Sequence, residues 1–173
     1  MKIGILSGTF DPVHAGHIEL AYLAINELDL DKVLFTPELK SRYKSGVTDF
    51  SHRLEMLRLA LKNETKISVF ESSLDTHSIE LGDELKAVYE GSGLYLLLGA
   101  DVASSIVNWE NLERLKQQFR LVSFGRLGVT ADIELNHPAS SKTIRKQLTV
   151  ETQADYLKPE VLEYINEHKL YQS

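Results

Sequence analysis

Short apolar runs alternate along the chain with longer stretches in which apolar residues recur every three or four positions. The runs read as buried strands and the longer stretches as amphipathic helices. Residues 2–7 open with Ile3-Gly4-Ile5-Leu6 and read as the first strand. Residues 15–28 follow as a helix whose stripe is Ile18, Leu20, Ala21, Ala24, Ile25 and Leu28. Residues 32–36 read as the second strand, closed by Pro37, and 38–47 as a polar surface loop. Asp49 is placed to cap a helix over 50–62, with Leu54, Leu57 and Leu61 on its apolar face and Met56 and Ala60 beside them.

The second half repeats the alternation. Residues 67–70 read as a short strand, and 77–90 as a helix with Gly82 inside it, an unfavourable helix residue. Leu94 to Leu98 is apolar or aromatic without a polar break, the mark of a parallel strand buried on both faces. A helix over 109–118, a strand over 120–124 ending at Gly125-Arg126, and a short strand over 132–135 follow. Ser140 or Ser141 is placed to cap a helix over 142–148, and Pro159 fits the first turn of a last helix over 159–168. The expected architecture is α/β: an open, doubly wound, mostly parallel sheet. No repeat or glycine- and serine-rich linker interrupts it, so 1–173 reads as a single domain. Such sheets bind ligands beyond the carboxyl ends of their strands, at the switch point. The stretch after the first strand, Asp101 after the buried strand and Arg126 after the next are therefore expected along one edge.

Composition narrows the chemistry. Hydrophobic residues make up 43% of the 173, enough for a packed core. The chain has no cysteine, which excludes disulfides, thiolate metal sites and a cysteine nucleophile. No signal-peptide pattern precedes Asp11, and no run approaches the roughly 20 apolar residues of a membrane span. A cytoplasmic protein without a membrane partner is the expectation. The net charge of −6 argues against a general nucleic-acid surface, but not against a small anionic substrate. Basic residues gather locally at Lys40, Arg42 and Lys44, and again at Lys142, Arg145 and Lys146. A homo-oligomer is compatible with the sequence, which does not specify the oligomeric state.

The candidate chemistry lies in Gly8-Thr9-Phe10-Asp11-Pro12-Val13-His14-Ala15-Gly16-His17. A strand, a glycine turn and a helix start in that order offer backbone N–H groups and partial positive charge to a phosphate. Gly8 permits close backbone approach, Pro12 stiffens the turn, and Gly16 leaves room at the helix start. His14 and His17, three apart, share one face. Buried structural histidines, a metal site and a phosphate site all fit the pair. The metal reading lacks a third ligand nearby. Only phosphate binding with transition-state stabilisation also accounts for the glycines and the helix start. A second stretch, Ala139-Ser140-Ser141-Lys142-Thr143-Ile144-Arg145, sets hydroxyls and free N–H groups at a helix start, with Arg145 as a fixed charge. It also fits an ordinary N-cap on a solvated basic helix. Lys142 either adds charge to the site or faces water.

The first stretch resembles the long signature of the HxGH nucleotidyltransferases, and the second resembles their Ile-Ser-Ser-Thr-x-Ile-Arg motif with changes at Ala139 and Lys142. The resemblance implies an adenylyl transfer in which His14, His17 and Arg145 act on ATP phosphates. It implies that Gly8, Thr9, Phe10, Gly16, Ser140, Ser141 and Arg126 bind ATP. Over its whole length the chain is most similar to bacterial nicotinate-mononucleotide adenylyltransferases. Ser51-His52-Arg53-Leu54-Glu55-Met56-Leu57, Leu97-Leu98-Gly99-Ala100-Asp101 and the ending from Tyr156 to Tyr171 carry that similarity. It implies transfer of AMP to nicotinate mononucleotide, giving deamido-NAD and pyrophosphate, with Mg2+ carried on ATP. On this likeness Lys44, Thr76, Ser78, Asp101 and Trp109 hold the acceptor. Trp109 equally suits a core anchor, and Asp101 a helix cap. The loop Leu39 to Lys44 and the segment Asp75-Thr76-His77-Ser78 depart from the family pattern, both on the acceptor side. The alternatives are another phosphorylated acceptor, nicotinamide mononucleotide or phosphopantetheine, and a nucleotide sensor without catalysis.

Overall fold

The computed structural model describes residues 1–39, 46–72, 79–105, 111–125 and 131–172. Six strands, β1 (Lys2–Gly8), β2 (Lys32–Pro37), β3 (Ile67–Val69), β4 (Gly93–Gly99), β5 (Arg120–Gly125) and β6 (Ile133–Glu134), form one sheet in the order β3-β2-β1-β4-β5-β6. Every neighbouring pair is parallel, so the sheet is more regular than the mostly parallel one expected. The order reverses direction between β1 and β4, which is where a doubly wound sheet opens a crevice at its carboxyl edge.

The strands bury both faces, and side-chain alternation splits the interior into two cores. Ile3, Ile5, Leu34, Leu94, Leu96 and Leu98 point to one side, under α3 (Ile79–Val88) and α5 (Leu112–Gln118). Leu6, Val33, Phe35, Leu97, Val122 and Phe124 point to the other. There they meet α1 (Ala15–Leu28), α2 (Phe50–Leu61), α6 (Ser141–Leu148) and α7 (Pro159–Glu167). Gly82 is tolerated inside α3 because a Cβ there would come within 2.4 Å of the Gln118 side chain; the close approach of α5 requires its absence.

Most element boundaries fall within two residues of those expected. Three details differ. A short helix, α4 (Ala100–Ser105), follows β4 directly, where no helix was expected. Asp49 occupies the N-cap of α2 but makes no side-chain cap bond. Glu38, expected in a surface loop, is buried at the end of β2, where its carboxylate accepts a hydrogen bond from Thr9 Oγ1 at 3.2 Å. No helix among the described residues is long and apolar enough to cross a membrane.

Candidate active site

A cleft of about 720 Å3 lies over the carboxyl edge of the sheet, a size that suits a small-molecule ligand. Gly99 at the end of β4, Ala100 after it, and Phe124 and Gly125 at the end of β5 line its floor. His14, Gly16 and His17 stand on one side, and Ser140, Ser141, Lys142 and Arg145 on another. The two sequence stretches therefore face each other across one cavity.

His14 is the N-cap of α1 and His17 its third residue. Their rings stack at 3.8 Å between centroids. The backbone N–H of His14 donates to His17 Nδ1 at 3.2 Å, the reciprocal half of a capping box, with imidazole in place of the usual carboxylate. Because Nδ1 accepts, the proton of the neutral His17 ring resides on Nε2. In that tautomer the ring N–H is on Nε2, a donor of the kind a phosphate oxygen accepts from. A Cβ on Gly16 would lie 3.0 Å from His137 Nδ1 and 3.1 Å from His14 Nδ1. The glycine thus lets two imidazoles close over the helix start.

Gly8, Thr9 and Phe10 sit beneath the cleft wall rather than on it. Phe10, at φ 49°, doubles back so that its ring lies 3.2 Å from where a Gly8 Cβ would be. The Cβ direction of Gly8 is therefore occupied by the protein's own ring. The Phe10 ring is buried and packs edge-on against His17 at 5.1 Å. It acts as the bed on which the second histidine rests.

The second stretch is held by ordinary capping and by two bonds to the first. Ser140 Oγ accepts the Thr143 N–H at 3.1 Å, so Ser140 rather than Ser141 is the N-cap of α6. Ser141 is free to turn elsewhere, and its hydroxyl donates to the Pro12 carbonyl at 3.0 Å. Arg145 Nη1 donates to the Asp11 carbonyl. Its Nε and Nη2 make no hydrogen bond among the described residues, and the side chain is 34% exposed toward the cleft.

Three contributors carried no role in the sequence reading. Arg53 is 1% exposed and donates to the carbonyls of Thr9 (2.7 Å), Glu38 (2.8 Å), Leu39 (3.3 Å) and Thr48 (2.8 Å). Burial pulls its pKa down while Asp11 and Glu38 oppose the shift; a guanidinium starts so high that it stays charged. Its signal was present: Arg53, Leu57 and Leu61 form one i, i+4, i+8 stripe, so a charge lies on the buried face of α2. Asp11, 4% exposed, meets groups from residues 48, 145 and 171, which no local pattern announces. His137 lines the cleft beside Gly16, accepts the Ala139 N–H at 3.0 Å through Nδ1, and places Nε2 3.5 Å from Glu19.

The expected acceptor side is less fully placed. Asp101 belongs to α4, directly after the cleft-lining Gly99 and Ala100. Lys44, Thr76, Ser78, Trp109 and Arg126 lie outside the described residues.

Comparison with known proteins agrees with the geometry. The cytidylyltransferase-like family matches residues 5–147, a span that includes both stretches. A Solibacter usitatus protein named "Probable nicotinate-nucleotide adenylyltransferase" is 34% identical over 187 residues, covering 99% of this chain and 100% of that protein. The Bacillus subtilis nicotinate-nucleotide adenylyltransferase is 30% identical over 189 residues, covering 99% of each. The solved structure of Plasmodium falciparum nicotinic acid mononucleotide adenylyltransferase complexed with NaAD is similar in fold. Its TM-score is 0.76 at 24% identity, over 98% of this chain and 97% of that one. Two helix starts meeting at the switch point of a parallel sheet agree with the full-length likeness to these relatives, which places the chain in the nicotinate-nucleotide adenylyltransferase branch of the cytidylyltransferase-like nucleotidyltransferases.

Proposed function

We propose that the protein transfers AMP from ATP to nicotinate mononucleotide, forming deamido-NAD and pyrophosphate. The observation that carries the reading is the meeting of His14–His17 with Ser140–Arg145 in one cleft, joined by the Ser141–Pro12 and Arg145–Asp11 bonds. The full-length relatives named for this activity support the choice of acceptor.

An acceptor phosphate oxygen attacks the α-phosphorus of ATP in line. The new P–O bond forms as the bond to the oxygen bridging the α- and β-phosphorus breaks, and that oxygen departs with the electron pair on pyrophosphate. No side chain becomes covalently attached. His17 Nε2–H and the unbonded edge of Arg145 are suited to oxygens whose charge grows during the displacement, where fixed donors lower the barrier most. Gly8, Thr9 and Phe10 hold the loop beneath, and the partial positive charge at the start of α1 adds to the anion site. Among the described residues no group of three histidine, aspartate or glutamate side chains is placed to hold a metal. A Mg2+ ion carried on the triphosphate would neutralise charge on the leaving group. Asp101, Lys44, Thr76, Ser78 and Trp109 are assigned to the acceptor, and Arg126 to ATP.

Pyrophosphate release with ATP and a panel of acceptors tests the reading. Nicotinate mononucleotide is expected to be the fastest. Faster release with nicotinamide mononucleotide or phosphopantetheine would overturn the acceptor assignment. ATP binding without release on any acceptor would identify a sensor instead.

A further inference from the structure

Asp11 is a buried carboxylate in the middle of the first stretch, and its atoms are engaged on every side. Its Oδ1 accepts a hydrogen bond from the Tyr171 hydroxyl. Its Oδ2 accepts the Thr48 backbone N–H at 3.3 Å and lies 4.0 Å from Arg145 Nη1. Its carbonyl accepts from the same Nη1. One nitrogen of Arg145 thus bonds the Asp11 carbonyl and forms a longer ion pair with its carboxylate, so the guanidinium is tethered to that residue. The remaining donors, Nε and Nη2, make no hydrogen bond among the described residues, and the residue lines the cleft.

Tyr171 reaches this position by a bent tail beyond α7. Lys169 and Tyr171 adopt left-handed φ values of 51° and 65°, and the Leu170 N–H bonds back to Ile165 at 2.9 Å. Leu170 and the Tyr171 ring pack against the core that also holds Phe10 and Ile144. Burial and the neighbouring Asp11 carboxylate push the Tyr171 phenol well above its ordinary range, so it remains a proton donor at neutral pH. Paired recognition of phosphate oxygens by a guanidinium depends on the angle of its plane. A carboxylate free to rotate would let that plane swing.

We propose that Tyr171 is a positioning residue of the phosphate site, holding Asp11 so that Arg145 presents Nε and Nη2 to the polyphosphate of a bound nucleotide. The inference rests on the nucleotide reading of the cleft given above. It assigns to a residue outside both recognised stretches a part in nucleotide binding.

The test is ATP affinity by calorimetry for wild type, Y171F, R145Q and the double variant. Loss of one hydrogen bond to a charged group is expected to weaken ATP binding about tenfold in Y171F. In the R145Q background the same change should have little further effect, because the arginine it positions is gone. Unchanged ATP affinity in a folded Y171F, or an undiminished tenfold loss when R145Q is already present, would overturn the proposal. A purely structural tyrosine would lower the melting temperature and leave affinity alone. If Y171F folds poorly, D11N interrupts the same link while keeping the shape, and the same cycle with R145Q applies. These measurements need no acceptor. Wild-type ATP binding without pyrophosphate release would defeat the catalytic reading and leave this cycle decisive; a wild type that binds no ATP would defeat both.

Discussion

The starts of α1 and α6 stand on two sides of the cleft, and they differ. At α6 a serine caps the helix in the usual way, its hydroxyl bonded to the N–H three residues on. At α1 the cap position is a histidine, and a second histidine closes the first turn by accepting the cap N–H. Imidazole is a poorer capping group than a hydroxyl or carboxylate, so α1 gives up some local stability. In exchange it sets a ring N–H at the helix start, where partial positive charge already favours phosphate. The difference suggests a division of labour. On the proposed reading the α6 start secures Arg145 and serves position, whereas the α1 start serves chemistry.

Replacing His17 tests the division most severely. H17A removes a donor aimed at developing charge and should cost about 3–4 kcal/mol of activation free energy, on the order of hundreds-fold in rate. Turnover by pyrophosphate release, with circular dichroism to confirm the fold, is the check; near wild-type turnover would end the assignment. G16A should act less strongly and in a contrary pair of directions. Alanine favours the helix by roughly 1 kcal/mol. Its Cβ, however, meets His137 and His14 at 3.0–3.1 Å, and accommodating it should displace both rings at a cost of about 1–3 kcal/mol to the site. The expected result is a roughly tenfold or greater loss of turnover with a melting temperature that falls little. A large melting loss with normal kinetics would show that Gly16 serves packing alone.

The contrast between the two starts also explains what the sequence disclosed. The α6 cap follows a rule that spans four residues, and serine at 140 announces it. The strands were visible because a central parallel strand is apolar on both faces, as at Leu94–Leu98. Their common carboxyl edge followed from alternation alone. The histidines and both stretches could be located, but not the support beneath them. Asp11, Arg53 and Tyr171 act through partners distant in the chain, and a buried charge looks like a surface charge until its neighbours are known. Only the place of Arg53 in the stripe with Leu57 and Leu61 hinted at burial. The ring beside Gly8 was hidden for the same reason: it comes from Phe10, through a left-handed turn that the residue type does not signal.

S140A addresses the other helix. Loss of the cap should destabilise the protein by about 1 kcal/mol, which lowers the melting temperature by roughly 2–4 °C in a domain of this size. Turnover should fall far less than in H17A. If S140A slows the reaction as much as H17A, the hydroxyl contributes chemistry as well as position, and the division between the starts fails.

A third helix start, outside the cleft lining, provides the control and the smallest expected effect. The N-cap position of α7 is Lys158, a cation where the helix dipole disfavours one. Its Nζ donates to Glu64 at 2.6 Å, and the Tyr22 hydroxyl donates to the same carboxylate. These two bonds hold the Glu64 carboxyl below the usual carboxylate range. A carboxyl whose pKa is lower folded than unfolded stabilises the protein above its unfolded value and loses that contribution as pH falls through the folded value. E64Q should therefore lower stability at pH 7 and change it little once the medium is more acidic than the folded pKa. Lys158 is a third exposed, so solvent screens the pair and the shift should be smaller than that of S140A. Thermal melts of E64Q and wild type across pH 3–7 should converge at the acid end, with turnover at pH 7 the same in both. A stability difference that persists undiminished in acid would show that Glu64 contributes shape rather than charge. A change in turnover would show that α7 communicates with the cleft from its start, and not only through the tail that carries Tyr171.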